Sequence, residues 1–112
     1  MSHMKISLIS SELRDRGYST KGYAVVGRFE QEFLQLSDHE NSFCIGPFDG
    51  TDDQGEKLVD TSDLWICHKE DLEQDYSRND RLLPDTSDPF IVVNSIEGWI
   101  IREETMPQIV PK

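Results

Sequence analysis

The sequence has few cysteines, and this scarcity argues against a structural metal domain. Only Cys44 and Cys67 occur among its 112 residues, and they do not form a C-x-x-C pair. Structural zinc sites need four ligands, which commonly come in such pairs, so we expect no metal. A single pair of cysteines without a secretory segment favours reduced, buried thiols.

Long apolar runs are also missing. The opening MSHM is typical of an expression remnant, so residues 1–3 are set apart from the natural chain. The segment that follows, KISLISSELRDRGY, gains charges within a few residues and is too short for a signal peptide or a membrane span. We therefore expect a cytoplasmic protein without a membrane partner, with a single domain at 4–105 and an extended tail at 106–112.

Basic residues are few as well. Eleven Lys and Arg face twenty-two Asp and Glu, which gives a net charge of −11. The imbalance lies in residues 29–104, where five basic side chains face twenty acidic ones. A field of this sign repels nucleic-acid phosphates and speeds encounters with basic proteins. We therefore expect a basic protein partner and no nucleic-acid partner.

Helices are predicted in the first third of the chain. In residues 10–17, a serine at the N-cap, charges of the favourable sign in both end turns and Gly17 after the last turn indicate a short helix, which begins as early as Met4 in one alternative. Apolar residues recur at three- and four-residue spacing across 21–37, which predicts an amphipathic helix. A strand through YAVVG is the alternative there.

Strands are predicted later. SFCIGPF indicates a strand broken at Pro47, and LWIC a second strand with Trp65 and Cys67 on one side. A short helix or a turn-rich crossover is expected in HKEDLEQDYSRNDRLL. In FIVVNSIEGWIIRE, two apolar runs flank Asn94, Ser95 and a glycine, which predicts a C-terminal β-hairpin. The expected fold is α+β: a small single domain, mainly an antiparallel sheet, with the C-terminal hairpin and with N-terminal helices packed on one face.

No stretch carries a complete catalytic or nucleotide-binding motif. GYAVVGRF has the glycine spacing of a P-loop, but Arg28 and Phe29 stand where a lysine and a hydroxyl are required. Cys67 and His68 are adjacent, and neighbouring side chains of a strand point to opposite faces, which separates the thiol from the base. We assign no catalytic residue and no cofactor, and an enzyme is the less favoured class.

The segment PFDGTDDQGEKLVD, residues 47–60, holds five acidic side chains and two glycines. An EF-hand loop beginning at Asp49 would need glycine at its sixth position, where Gln54 stands, and a bidentate glutamate at its twelfth, where Asp60 stands. A solvated or partner-facing loop is therefore favoured over a calcium site. A small-molecule or cation-binding regulatory domain that uses this loop is the alternative function.

A second acidic run follows at 70–75, beside aromatic residues that could anchor a partner. The favoured hypothesis is a small acidic, bacterial-type protein that binds another protein, most sharply an immunity or inhibitor protein that neutralises a basic toxin or nuclease. The expected partner-binding residues are Asp49, Asp52, Asp53, Glu56, Glu70, Asp71, Asp75, Tyr76 and Trp65.

Overall fold

A computed structural model describes residues 2–25, 31–38, 41–73 and 81–105. In these ranges the chain forms two antiparallel sheets and three α-helices, which confirms the predicted α+β class. The elements in chain order are β1 His3–Lys5, α1 Ile6–Asp15, β2 Ser19–Val25, β3 Gln31–Asp38, β4 Asn41–Gly46, β5 Phe48–Thr51, β6 Lys57–Asp60, a 3-10 turn Thr61–Asp63, β7 Trp65–His68, α2 Lys69–Glu73, β8 Arg81–Leu82 and α3 Pro89–Thr105.

The larger sheet has the strand order β2-β3-β4-β7-β8, and the smaller one has the order β1-β6-β5. The break predicted at Pro47 is confirmed, because β4 ends at Gly46 and β5 begins at Phe48 in the other sheet. Within the described ranges, no helix is long and apolar enough to cross a membrane.

The main core lies between one face of the larger sheet and the helices α1 and α3. Alternate residues of the central strands, such as Leu34, Ile45 and Ile66, point into it. The helices contribute one stripe each, and Met4 and Val59 join from the smaller sheet. The residues of this core that are completely buried are Ile9, Leu13, Leu36, Phe43, Ile45, Val59, Leu64, Ile66, Val92, Val93, Ile96 and Ile100.

The opposite face of the larger sheet has a smaller apolar cluster. Phe33, Cys44 and Cys67 are buried there, with Trp65 and Leu72 packed against them. The predicted two sides of LWIC are therefore confirmed. Phe33 also covers the backbone of Gly46, so that a β-carbon added to this glycine would lie 2.7 Å from the Phe33 ring.

Helix α1 begins at Ile6, before the serine that was expected to be its N-cap. Its N-cap is Lys5, which makes no side-chain capping bond, and Ser10 lies inside the helix, where its hydroxyl donates to the carbonyl of Ser7. The C-terminus agrees with the prediction: Gly17 has a φ of 96°, and the amide of Tyr18 donates to the Leu13 carbonyl. This left-handed residue is the glycine-dependent end of a Schellman motif.

The amphipathic helix predicted across 21–37 is wrong, because residues on both sides of 26–30 pair as strands β2 and β3. Strand β3 is central and buried on both faces, with Phe33 on one side and Leu34 on the other. A strand covered on both faces has no strict polar alternation, so its apolar residues matched a helical spacing by coincidence. The YAVVG alternative is confirmed for the part of it in β2.

The hairpin predicted in 90–103 is also wrong, because Pro89–Thr105 is one helix. Val92, Val93, Ile96 and Ile100 are fully buried and recur at helical spacing, which makes one stripe against the sheet. The carboxylate of Asp88 accepts a hydrogen bond from the amide of Phe90 at 3.0 Å and caps the first turn. Proline at the first helical position is favourable, since its missing N–H has no partner there.

Helices α1 and α3 are joined at one end by charged side chains. The guanidinium of Arg16 donates to Glu12 at 2.9 Å and to Glu97 at 3.2 Å, and Tyr18 donates to the second oxygen of Glu97. Arg16 also lies 4.9 Å from the ring centroid of Phe90. The segment after His68 is helical over Lys69–Glu73, which agrees with the short-helix alternative for that part. The tail 106–112 lies outside the described residues.

The substitution Ser95→Pro distinguishes the observed helix from the hairpin predicted there. In a helix interior, proline removes a backbone hydrogen bond and clashes with the preceding turn, so Ser95→Pro should lower the free energy of unfolding by about 3 kcal/mol or more. In a hairpin turn, proline at position 95 would cause no such loss of stability. Urea denaturation measures the change, and Ser95→Ala, expected within about 0.5 kcal/mol of the parent, is the control. A proline variant as stable as the alanine variant would contradict the helix.

Candidate functional site

The acidic segment 47–60 forms the β5–β6 hairpin. Asp52 organises its turn: one carboxylate oxygen accepts hydrogen bonds from the amides of Gln54 at 2.8 Å and Glu56 at 2.9 Å. The backbone of Asp52 also pairs with that of Glu56. Asp52 is thus occupied within the hairpin, while Asp53 is exposed and Glu56 is half-buried.

The outer face of the smaller sheet is charged. Met4, Phe48 and Val59 point to the main core, so their neighbours along each strand point outward. There His3 lies 2.8 Å from Asp49, and Lys5 lies 3.8 Å from Asp52. Partly exposed pairs of this kind contribute little to stability.

Two carboxylates of this region titrate below the ordinary aspartate range. Hydrogen bonding from the amide of Glu56, the largest cause, and from that of Gln54 lowers the pKa of Asp52, and Lys5 lowers it further. The pKa of Asp60 is lowered by the hydroxyl and amide of Ser62, at 2.7 and 3.0 Å. Donors that bind the ionised form keep both groups negative in mild acid.

The second acidic segment lies mainly on α2. Glu70 is exposed in its first turn, and Asp71 is half-buried. One oxygen of Asp71 is buried without a hydrogen-bond partner among the described residues. Trp65 is half-buried against Phe33, with ring centroids 5.4 Å apart. The other two predicted contact residues, Asp75 and Tyr76, lie outside the described residues.

The two acidic segments leave the larger sheet at opposite ends of one strand pair. The hairpin follows Gly46, which is paired with Trp65, the first residue of β7. Helix α2 follows His68, the last residue of β7, which is paired with Phe43. The structure therefore brings Asp49, Asp52, Asp53 and Glu56 together in one hairpin and attaches Glu70 and Asp71 elsewhere.

The described cysteines and His68 lie on two different faces of the larger sheet. Cys67 is buried on the α2 side of the sheet, whereas the His68 ring packs on the other side, 5.1 Å from Phe43 and 5.3 Å from Trp99. Cys44 lies directly opposite Cys67 in the register; both are buried and not disulfide-bonded. In the described part of the chain, no three His, Cys, Asp or Glu residues are placed to hold a metal ion.

A small pocket lies between β8 and α3. Its volume is about 170 Å³, and its lining residues are Arg81, Ser95, Gly98, Trp99 and Arg102. Both arginines are exposed, and a β-carbon added to Gly98 would meet nothing within 4 Å. The Trp99 side chain closes the inner wall, with only 9% of its surface exposed. The pocket is therefore lined by basic side chains, although the chain as a whole has a net charge of −11.

Sequence reasoning missed this pocket because it interpreted residues 94–98 as a turn. With the segment helical, Ser95, Trp99 and Arg102 recur at three- and four-residue spacing and share one side of α3. A helical period count over 89–105 would have grouped them. Arg81 enters only through the pairing of β8 with β7, for which the two-residue strand gives no sequence signal.

Comparison with known proteins found no relative of this chain. No family model matches the chain, and neither a curated protein nor a solved structure shows significant similarity to it. The function has to be argued from the hairpin and the pocket themselves.

Asp52 should make the hairpin sensitive to acid. Because its pKa is lower in the folded state than its ordinary value of 3.8, its stabilising effect is complete above that pH and is lost as the pH falls through the folded-state pKa. Asp52→Asn keeps an acceptor oxygen but removes the ionisation, so the acid-dependent part of the stability should shrink. Chemical denaturation at a series of pH values between neutral and about 2 measures the difference.

The hydrogen-bonding role of Asp52 has its own control. Asp52→Ala should speed amide hydrogen exchange at Gln54 and Glu56, whereas Asp53→Ala, which removes an exposed side chain outside these bonds, should not. Equal exchange in the two variants would show that the turn does not depend on the Asp52 carboxylate.

The protein should be less stable with glycine at position 98 than with alanine there. It lies in the interior of α3, where glycine costs about 1 kcal/mol relative to alanine, and an added methyl group meets open space. Gly98→Ala should therefore raise the free energy of unfolding by about 0.5–1 kcal/mol in urea denaturation. A loss of stability would mean that the space above Gly98 is filled.

Proposed function

We propose that this protein binds a basic protein and inhibits it through the β5–β6 hairpin, most specifically as an immunity or inhibitor protein against a basic nuclease or toxin. The proposed contact surface, called here the acidic hairpin surface, is formed by the carboxylates of the hairpin and the 3-10 turn that follows it. Its residues are Asp49, Asp52, Asp53, Glu56, Asp60 and Asp63.

The observation that carries the proposal is the poor compensation of charge on this surface. Residues 48–63 contain six carboxylates and one cation, Lys57. Lys57 is itself paired at 3.0 Å with Glu32 of β3, so that its charge is shared with a seventh acidic group. His3 and Lys5 are the basic groups that reach the hairpin from β1. A concentrated negative field attracts a basic surface over about a Debye length.

The hairpin holds these charges in a fixed arrangement. The amides bound to Asp52 fix the turn that contains the exposed carboxylate of Asp53. The amide of Ser62 binds Asp60 and fixes the start of the 3-10 turn. Preorganised charges lose less entropy on binding than charges on a loose loop. A nuclease channel that binds phosphates presents the complementary basic surface, and a hairpin seated there would exclude nucleic acid.

The proposal is tested with a panel of purified basic nucleases, with cleavage of nucleic acid and association rates as readouts. At least one nuclease should be inhibited, and its association rate should fall steeply as the salt concentration rises from about 50 to about 500 mM. The double variant Asp49→Asn/Asp53→Asn should slow association about tenfold, because it removes two exposed charges from the contact surface.

A matched double variant controls for the change in net charge. Asp15→Asn/Glu70→Gln also removes two exposed carboxylates, but on α1 and α2. It should leave inhibition within about twofold of the parent protein, since distant exposed charges are screened. Equal loss of inhibition in both double variants would assign the effect to total charge, and a salt-independent association rate would exclude electrostatic docking.

A further inference from the structure

Among the described residues, the two arginines of the pocket lack the carboxylate partners that Arg16 has. Arg16 binds two carboxylates, at 2.9 and 3.2 Å. Arg81 and Arg102 form no ion pair with any residue in the described ranges, although acidic residues outnumber basic ones two to one. Two like charges that line one small cavity repel each other, so this arrangement is favourable when an anion lies between them.

The pocket is kept open by a residue that does not suit its helix. Gly98 lies in the middle of α3 and has a negative φ that any residue could adopt. Space does not require a glycine, because an added β-carbon would meet nothing within 4 Å. Gly98 lines the same pocket as the two arginines. A local choice that costs stability without a packing reason is expected where a site has to stay accessible.

We infer that the pocket formed by Arg81, Ser95, Gly98, Trp99 and Arg102 binds a phosphate group. Two guanidinium groups carry the charge that matches a phosphate near pH 7, and their planar N–H forks suit its oxygens. The Ser95 hydroxyl can donate a further hydrogen bond. This site is separate from the acidic hairpin surface, and its ligand is independent of the proposed inhibition.

The size of the pocket restricts the ligand to a small one. About 170 Å³ is below the roughly 300 Å³ at which pockets for larger organic molecules begin, so the pocket has room for one small group. The exposed arginines and Gly98 leave the mouth open to solvent, where the rest of a phosphate monoester would lie. The ligand class is therefore inorganic phosphate or a small phosphate monoester.

Trp99 supplies the readout, because it lines the pocket. In a Trp65→Phe background it is the single tryptophan, and its fluorescence is titrated with inorganic phosphate and, separately, glycerol phosphate at constant ionic strength. We expect a saturable change, together with a rise in melting temperature that saturates at the same concentrations. Arg81→Gln and Arg102→Gln should each weaken binding about tenfold or more, since each removes charged hydrogen bonds. Tighter binding of one of the two compounds identifies the source of the phosphate group.

Two controls decide between a built site and general charge attraction. Arg14 is exposed in the last turn of α1, as Arg102 is in the last turn of α3, so Arg14→Gln removes an equivalent charge at a helix end. It should bind phosphate as the parent does. Gly98→Leu, which fills the open space, should abolish binding while the circular dichroism spectrum stays unchanged.

Three results would overturn the inference. They are a fluorescence change that does not saturate, equal weakening by Arg14→Gln and the pocket variants, and binding of acetate as tight as that of phosphate at the same ionic strength.

Discussion

The burial of one stripe of α3 against the larger sheet is the constraint on which the rest of the structure depends. Val92, Val93, Ile96 and Ile100 are completely buried, and side chains of this kind contribute roughly 1.5–3 kcal/mol each when they leave water. The stripe fixes the rotation of the helix about its axis. It thereby determines that Glu97 meets Arg16 of α1 and that Ser95, Gly98 and Arg102 face the edge strand β8.

Sequence reasoning was sound where a pattern had one physical explanation. The sides of β7, the break at Pro47 and the Gly17 cap were each predicted from local geometry, and each is present. It failed where two periods fitted one stretch. Strand β3 is buried on both faces and imitates a helix, while α3 combines β-branched residues with Asn94 and Gly98 and imitates a hairpin. In both cases the tertiary contacts decide, and a single sequence does not contain them.

The two candidate sites differ in how far they were predictable. Charge counts along the chain located the acidic segment 47–60, because its residues are consecutive. The basic pocket joins Arg81 to a helix about twenty residues later, and neither part is unusual alone. The fold thus places carboxylates on a hairpin of the smaller sheet and two arginines in a pocket at the β8 edge of the larger one.

The contact between Phe33 and Gly46 has a consequence for how this chain can diverge. The aromatic ring occupies the space where a side chain at position 46 would begin, 2.7 Å from the place of a β-carbon. The two positions lie thirteen residues apart on neighbouring strands, yet a side chain at position 46 requires the ring at position 33 to move or to be replaced. A smaller residue at position 33 would make room for a side chain at position 46, which gives the pair a preferred order of mutation.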